Sequence, residues 1–474
     1  MDMHRPTSVI AIIGGGFSGT AVALHLAAMP ALEDCAITVF EPRERLGGGL
    51  AYDTTDPAHR INVPATRMSL FPDDDAHFSR WLEYRAEPKD DPDALTANGQ
   101  LFPRRSLFGR YVESCIAEDL NRGRVRHVRQ KVVDVARQGE RWHIADAHGT
   151  VLIADIVVIA TTHPPPDPPA SIDQVLSGHP RYIADATMPD ILAVIRPDDR
   201  VLVVGTGLTS ADVIASLKAR GHAGPITAFS RRGLRSRGHS PVAVDPFGEF
   251  LVPAHATALS LLKAARRAIG EAGRQSITWH AVLDGLRAQA GGLWRRLPIV
   301  EKRRLVRHLR SYWDAHRFRI APQVEKVLDA SVADGSLRIL AGRIVTLENK
   351  GELIACTLRH RRSKTQEEAL YDAVIVTTGP SHGSVMRSQP WLHHLAEQGF
   401  VSMDPVGLGL ACNEKSQALS IGGVETDSLF ITGPLARGTF GELMGLPQVS
   451  QHALLVAGAV ARLIESKLDP AADP

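Results

Sequence analysis

Two segments of this chain read as a short apolar strand, a glycine-rich turn and a helix, and no other feature limits the possible folds as much. The first is Ser8-Val-Ile-Ala-Ile-Ile-Gly14-Gly-Gly16-Phe-Ser-Gly19, followed by an alanine-rich helical stretch to Met29. The second is Arg200-Val-Leu-Val-Val-Gly205-Thr-Gly207-Leu-Thr-Ser210, followed by a helical stretch to Arg220. In each, the first glycine permits a tight turn and the second lets backbone approach a pyrophosphate. The third position needs a small residue so that helix and strand pack closely. The free N–H groups and positive end of the helix then face the phosphates. A chain with two such cradles is built to pass electrons between two dinucleotides.

The ends of the second strands distinguish the two units. After the first, Ala36–Phe40 leads into Glu41, 22 residues past Gly19, where a carboxylate can accept hydrogen bonds from a ribose. In the second unit Ser210 replaces the third glycine, and Ser230-Arg231-Arg232 stands where the acid would be. Arginines there suit a 2′-phosphate, so the second cradle is expected to take NADPH rather than NADH.

Length and composition narrow the rest. The 474 residues suit two or three domains with sizeable cores, and 44% hydrophobic with 22% charged residues is ordinary for a globular protein. A net charge of +2 gives no reason to expect nucleic acid or an anionic membrane as partner. Cys35, Cys115, Cys356 and Cys412 are far apart, which excludes a CxxC redox pair and zinc-finger spacing and suits a reducing cytoplasm. The apolar run 453–464 carries Arg462 and is too short to span a bilayer. No Ser/His/Asp arrangement or metal-ligand spacing emerges, as expected where a cofactor supplies the chemistry.

Further along, Asp155-Ile-Val-Val-Ile-Ala-Thr-Thr162 echoes Asp372-Ala-Val-Ile-Val-Thr-Thr-Gly379, and each reads as a buried parallel strand. His163-Pro-Pro-Pro-Asp-Pro-Pro169 is read as the connector between domains. Residues 257–272, 278–290 and 301–318 read as amphipathic helices, and 446–468 as a C-terminal helix.

Several stretches, together with the two cradles, carry a resemblance. They include Gly47-Gly-Gly-Leu-Ala-Tyr-Asp-Thr-Thr-Asp-Pro-Ala-His-Arg-Ile-Asn-Val-Pro64, Phe102-Pro-Arg-Arg-Ser-Leu-Phe-Gly-Arg-Tyr111, Tyr312-Trp-Asp-Ala-His-Arg-Phe-Arg319 and Gly433-Pro-Leu-Ala-Arg-Gly438. The chain resembles the bacterial YdhS-like FAD–NAD(P)-binding proteins, within the two-dinucleotide-binding-domain flavoproteins related to flavin monooxygenases. Asp155-x-x-x-Ile-Ala-Thr-Thr-His163 is similar to the Asp…Ala-Thr-Gly-Tyr element of N-hydroxylases, with Thr162 for the glycine and His163 for the tyrosine. No intact Baeyer–Villiger fingerprint is present, and Pro434 stands where many relatives carry an aspartate.

The resemblance implies an α/β fold of two Rossmann-like dinucleotide-binding domains with a helical insertion. Residues 1–170 and 370–474 would form the FAD-binding domain, 171–240 and 331–369 the NADPH-binding domain, and 241–330 the insertion, a candidate substrate region. FAD would lie on Gly14, Gly16, Phe17, Ser18 and Gly19, with Glu41 on the ribose and Gly49 and Gly433 approaching it. NADPH would lie on Gly205, Gly207, Leu208, Thr209 and Ser210, with Arg231 and Arg232 on its phosphate. Candidate chemical roles fall to Asn62, an amide beside the flavin or nicotinamide, and to His316 and Arg317 in a pocket for an anionic substrate. The arginine-rich stretch 294–319 also reads as a solvated helix face. The expected activity is hydride transfer from NADPH to FAD, followed by O2 activation and oxygenation of a small nitrogen or heteroatom substrate. A reductase serving a quinone or protein acceptor, and a non-catalytic redox sensor, are the competing readings.

Overall fold

The computed structural model describes residues 7–85, 90–162, 164, 166–252, 255–379 and 382–468. The first glycine-rich segment lies in a sheet whose strands run Glu425–Ile431, Ile156–Ile159, Val9–Ile13, Ala36–Phe40 and Val125–Val128, all parallel, with Gln417–Leu419 antiparallel on one edge. Both faces are covered, which is why these strands are apolar almost throughout rather than alternating. Ile10, Ile12, Ile156 and Val158 pack into one buried cluster with the helices Phe17–Ala27, Arg105–Asn121 and Gln448–Leu468. Ala11, Ile13, Val157 and Ile159 pack into another. That second cluster is shared with the meander Val132–Gln138, Arg141–Asp146 and Val151–Ala154 and with the helix Pro390–Glu397.

The second segment lies in a seven-stranded sheet. Its parallel part runs Tyr182–Ile183, Ala373–Val376, Val201–Val204, Ile226–Ser230 and Leu337–Lys350, and the antiparallel strands Leu353–His360 and Gln366–Tyr371 extend it. Between strands Ile226–Ser230 and Leu337–Lys350 stand the helices Ala258–Arg274, Trp279–Arg296, Ile299–His308, Arg310–Arg317 and Pro322–Ala333. The first two form a small core of their own around Phe250, Val282, Leu286 and Leu293.

Two boundaries differ from expectation. Residues from 370 were assigned to the first domain, yet Ala373–Val376 pairs with Val201–Val204 in the second sheet. An all-apolar run announces a buried parallel strand but does not say which sheet will bury it. The return to the first unit comes after this strand, where Pro390–Glu397 packs on Val132–Gln138. The helix Pro322–Ala333, counted largely in the insertion, packs on Leu208–Ala219 and serves as the crossover into Leu337–Lys350. The single helix read over 301–318 is two, meeting at Leu309.

The echo between Asp155 and Asp372 has a structural meaning. Each aspartate accepts an N–H at the entry to its unit's leading strand, Val9 on Asp155 Oδ2 and Arg200, just before Val201, on Asp372 Oδ2, both at 2.8 Å. Each following strand then lies beside that leading strand, on the side away from the second strand. The connector was read over 163–169, where His163 and Pro165 lie outside the described residues.

Candidate functional site

Both glycine turns emerge at the point where strand order reverses, the crevice in which open α/β sheets bind ligands. Gly14 has φ +106°, and a Cβ there would stand 2.7 Å from the Ala160 carbonyl oxygen. Gly205 has φ +134°, and a Cβ would stand 2.8 Å from the Thr377 carbonyl oxygen. The hydrogen bonds correspond as well: Gly14 N–H donates to Phe40 and Gly205 N–H to Phe229, each at 2.9 Å. A Cβ on Gly19 would run into the Gly14 carbonyl; Ser210 takes the corresponding place in the second unit and is buried.

Around the first turn a cleft of about 410 Å³ opens, lined by Gly14, Gly16, Phe17, Ser18, Glu41 and Gly49 among others. The helix Phe17–Ala27 starts from Gly16 without a side-chain cap and without an acid in its first turn. Its N-terminal end therefore faces the cleft with its positive end unopposed. The Gly47–Gly49 turn folds back on this site, with Gly47 N–H donating to the Gly15 carbonyl at 2.8 Å. Glu41 is buried; its carboxylate accepts from Gly15 N–H at 3.0 Å and from the Arg43 backbone and guanidinium at 3.1 Å each.

Several residues of this wall were not among the expected site residues: Lys131, Val132, Gln389 and Trp391 from distant segments, Arg43 beside Glu41, and Thr161 within the Asp155–Thr162 stretch. The Thr161 hydroxyl is buried with no hydrogen-bond partner among the described residues, which leaves a polar atom at the cleft for a ligand to satisfy. A pyrophosphate-bearing dinucleotide fits this donor-rich, glycine-lined and partly cationic wall.

The far end of the cleft is closed by Pro434, Met444, Gly445, Leu446 and Val449, where the 21-residue helix Gln448–Leu468 begins. Gly433 has φ +69° and packs on Ser18. Its N–H donates to Nδ1 of His452 at 3.1 Å, while Nε2 of that ring meets the Ser416 hydroxyl at 2.8 Å. Burial pushes the His452 pKa down to about 3.

The second cradle keeps the geometry and changes the chemistry. Gly207 starts the helix Leu208–Ala219 uncapped, and Leu208 and Thr209 are half-buried at its first turn. Thr206 stands where Gly15 stands in the first unit, and its hydroxyl bonds to Ser230 Oγ at 2.8 Å and the Leu234 carbonyl at 2.6 Å. Thr206–Ser230 thus replaces the Gly15–Glu41 contact. A cavity of about 10 Å³ lies beside it, lined by Gly207, Ser210 and Arg235 among others.

Of the basic residues here, Arg231 is exposed. Arg232 bonds to the His308 carbonyl at 3.0 Å and lies over the Tyr312 ring at 4.6 Å. Arg235 pairs with Asp329 at 2.5 Å. The fold therefore does not gather Arg231 and Arg232 onto one point.

The remaining candidates separate. Asn62 does not line the 410 Å³ cleft; its carbonyl accepts from His239 Nε2 at 3.1 Å, tying the first unit to the segment after the second cradle. Arg105–Asp212, at 2.8 Å, makes a second tie between the units. His316 lines a cavity in the helical insertion, its Nδ1 held by the Tyr312 carbonyl at 2.7 Å. Arg317 is buried 3.3 Å from Glu442 rather than open to a pocket.

Comparison with known proteins places this geometry. Residues 11–164, which hold the first cradle, match a family described as FAD-NAD(P)-binding. No curated protein matches the sequence. Among solved structures, the reduced ornithine hydroxylase of Pseudomonas aeruginosa aligns with a TM-score of 0.64 at 14% identity, over 96% of this chain and 99% of its own. The ornithine N-hydroxylase of Kutzneria sp. 744, with reduced FAD, NADP+ and L-ornithine, aligns at 0.62 and 15% identity, over 98% and 100%. The L-lysine 6-monooxygenase of Pseudomonas syringae aligns at 0.62 and 17% identity, over 97% and 99%. At such identities the likeness is one of fold: the chain is an α/β protein of two Rossmann-like dinucleotide-binding units and a helical insertion, the architecture of those flavin monooxygenases.

Proposed function

We propose that this chain is an FAD-dependent oxidoreductase that takes hydride from NADPH and, with O2, hydroxylates a small substrate on nitrogen or another heteroatom. The observation that carries the reading is the duplicated cradle. Two switch-point turns share the same strand order and hydrogen bonds, and one of them opens on a cleft sized for a large ligand. Support also comes from the alignment, over nearly the whole chain, with enzymes named as ornithine hydroxylases and an L-lysine 6-monooxygenase.

When bound, FAD supplies the hydride acceptor and the oxygen chemistry. The N-terminal end of Phe17–Ala27, with Gly14, Gly16, Ser18 and Gly19, receives its pyrophosphate. Glu41, already oriented by Gly15 and Arg43, accepts from its ribose. Gly49 and Gly433 let backbone approach, and the start of Gln448–Leu468 favours negative charge at the far end of the cleft. Gly205, Gly207, Leu208, Thr209 and Ser210 would hold NADPH, with exposed Arg231 the residue for its 2′-phosphate and Arg232 a guanidinium braced by Tyr312. The stretches shared with the YdhS-like group favour that subfamily, and four free thiols in 474 residues favour the cytoplasm. No helix among the described residues is long and apolar enough to cross a membrane.

Thr162, a departure from the N-hydroxylase pattern, and Pro434, standing where many relatives carry an aspartate, both lie in the cleft wall and favour a second reading as a non-catalytic redox sensor, beside the competing reductase. One set of measurements separates these. Purified protein should be yellow and release FAD, NADPH should bleach it without oxygen, and a panel of amines and amino acids should yield a hydroxylated product coupled to NADPH consumption. Bleaching with transfer only to artificial acceptors selects the reductase, and bound flavin that NADPH leaves oxidised selects the sensor. Colourless protein that takes up no FAD rejects the proposal.

A further inference from the structure

We infer that the cavity in the helical insertion is a binding site for an elongated apolar molecule ending in a carboxylate, with Arg437 as the group that recognises the carboxylate. The cavity measures about 620 Å³, and its wall is mostly leucine, alanine and tryptophan side chains from the helices Ala258–Arg274, Trp279–Arg296, Ile299–His308 and Arg310–Arg317. That volume lies within the range of about 300–1,000 Å³ usual for sites that enclose small organic ligands. The titratable groups on the wall are Arg266, Arg310, Tyr312, His316, Arg437 and Glu442.

Arg437 is the anomaly among them. It is 5% exposed, and among the described residues its one side-chain hydrogen bond runs from Nε to the Gly441 carbonyl at 3.2 Å. The charged groups that bear on it are Arg310, Asp314, Glu442 and Arg317. These neighbours neutralise one another: Arg310 lies 3.3 Å from Asp314, and Arg317 lies 3.3 Å from Glu442. Among the described residues no carboxylate lies within ion-pair distance of Arg437, so this cluster, buried at Arg437, Arg317 and Glu442 and half-buried at Arg310 and Asp314, holds one positive charge in excess. A buried unpaired guanidinium is costly, and a ligand carboxylate on it removes that cost. The fork of donors left beyond Nε matches a carboxylate in geometry as well as charge.

The site is separate from the dinucleotide cleft and does not depend on its chemistry. The two share one partition: Gly441 and Glu442 face the insertion cavity, while Met444, Gly445 and Leu446 face the cleft. Trp294 supports that partition, its Nε1–H donating to the Gly438 carbonyl at 2.8 Å.

The test is calorimetric titration of the purified full chain with decanoate, decan-1-ol and decylamine, followed by tryptophan fluorescence, since Trp279, Trp294 and Trp313 line the cavity. Decanoate is expected to bind at one site per chain, about tenfold or more tighter than the alcohol, with the amine weakest. Arg437→Gln should abolish the preference for carboxylate over alcohol while leaving alcohol binding in place. Ala290→Trp, which fills the cavity from a half-buried wall position, should abolish both. Melting temperature and near-ultraviolet circular dichroism identify any variant that has lost its fold; for such a variant Arg437→Lys replaces Arg437→Gln, and reduced carboxylate preference is expected. Equal binding of all three ligands, a carboxylate preference that survives Arg437→Gln, or no binding of decanoate overturns the inference.

Discussion

His452 links acidity to the loop that closes the cleft. Its Nδ1 accepts the Gly433 N–H at 3.1 Å, so the ring is neutral with its proton on Nε2, donated to Ser416 at 2.8 Å. A second proton would set N–H against N–H in a site only 3% exposed, and burial moves the folded pKa from 6.5 down to about 3. An unfolded histidine still titrates near 6.5. Between those values the unfolded chain binds a proton that the folded chain does not. Stability from this residue is therefore complete above about pH 6.5, falls as pH drops through the window, and levels off below about 3. At about 1.4 kcal/mol per pH unit, lowering the pH from 7 to 5 removes roughly 2 kcal/mol. His452→Gln retains an amide that can meet both partners but does not titrate. Urea unfolding of both proteins at the two pH values isolates the effect, because other titrations cancel in the difference. The native protein should lose about 2 kcal/mol more than the variant. Parallel losses, agreeing within a few tenths of a kcal/mol, would refute the assignment of a buried neutral imidazole.

Four shorter predictions follow from the same structure. Gly14→Ala puts a Cβ 2.7 Å from the Ala160 oxygen at a positive φ, so it should cost about 1–3 kcal/mol in thermal unfolding and strip flavin from the purified protein. Glu41→Ala leaves the buried Gly15 N–H without its acceptor, at about 1–3 kcal/mol, and should raise the dissociation constant for FAD about tenfold or more, read by equilibrium dialysis. Arg231→Ala should raise KM for NADPH about tenfold with that for NADH unchanged; equal changes for both would separate this arginine from the 2′-phosphate. A double-mutant cycle on Arg105 and Asp212, half-buried at 2.8 Å, should give a coupling of about 1 kcal/mol, and additive losses would show that the contact does not tie the units together.

Much of the first site was legible because its residues are local. Gly14, Gly16, Gly19 and Glu41 lie within one βαβ unit, where turn sterics and strand length dictate the spacing. Gly49 and Gly433 were reached through the resemblance and do meet the first turn in space, Gly49 at Gly16 and Gly433 at Ser18. Trp391 and Lys131 were invisible, since they reach the cleft through packing between distant segments. The arginines at 231–232 were read as a clamp for a 2′-phosphate, but the chain alone did not show that Tyr312 and His308 would hold Arg232. Arg437 stood in a quoted stretch without drawing notice, because only the assembled fold buries it with no counter-ion among the described residues.

Short-range physics accounts for what the amino-acid string determined unaided: two strand–turn–helix units, their buried parallel strands, and the positions where no side chain can fit. Glycine stereochemistry and apolar runs act over a few residues and survive any arrangement of the rest. Which sheet captured Ala373–Val376, what walls enclosed the two cavities, and which charges were left without counter-ions depended on contacts between segments hundreds of residues apart. Burial and ion pairing belong to that assembled state, so the tertiary structure alone decided them.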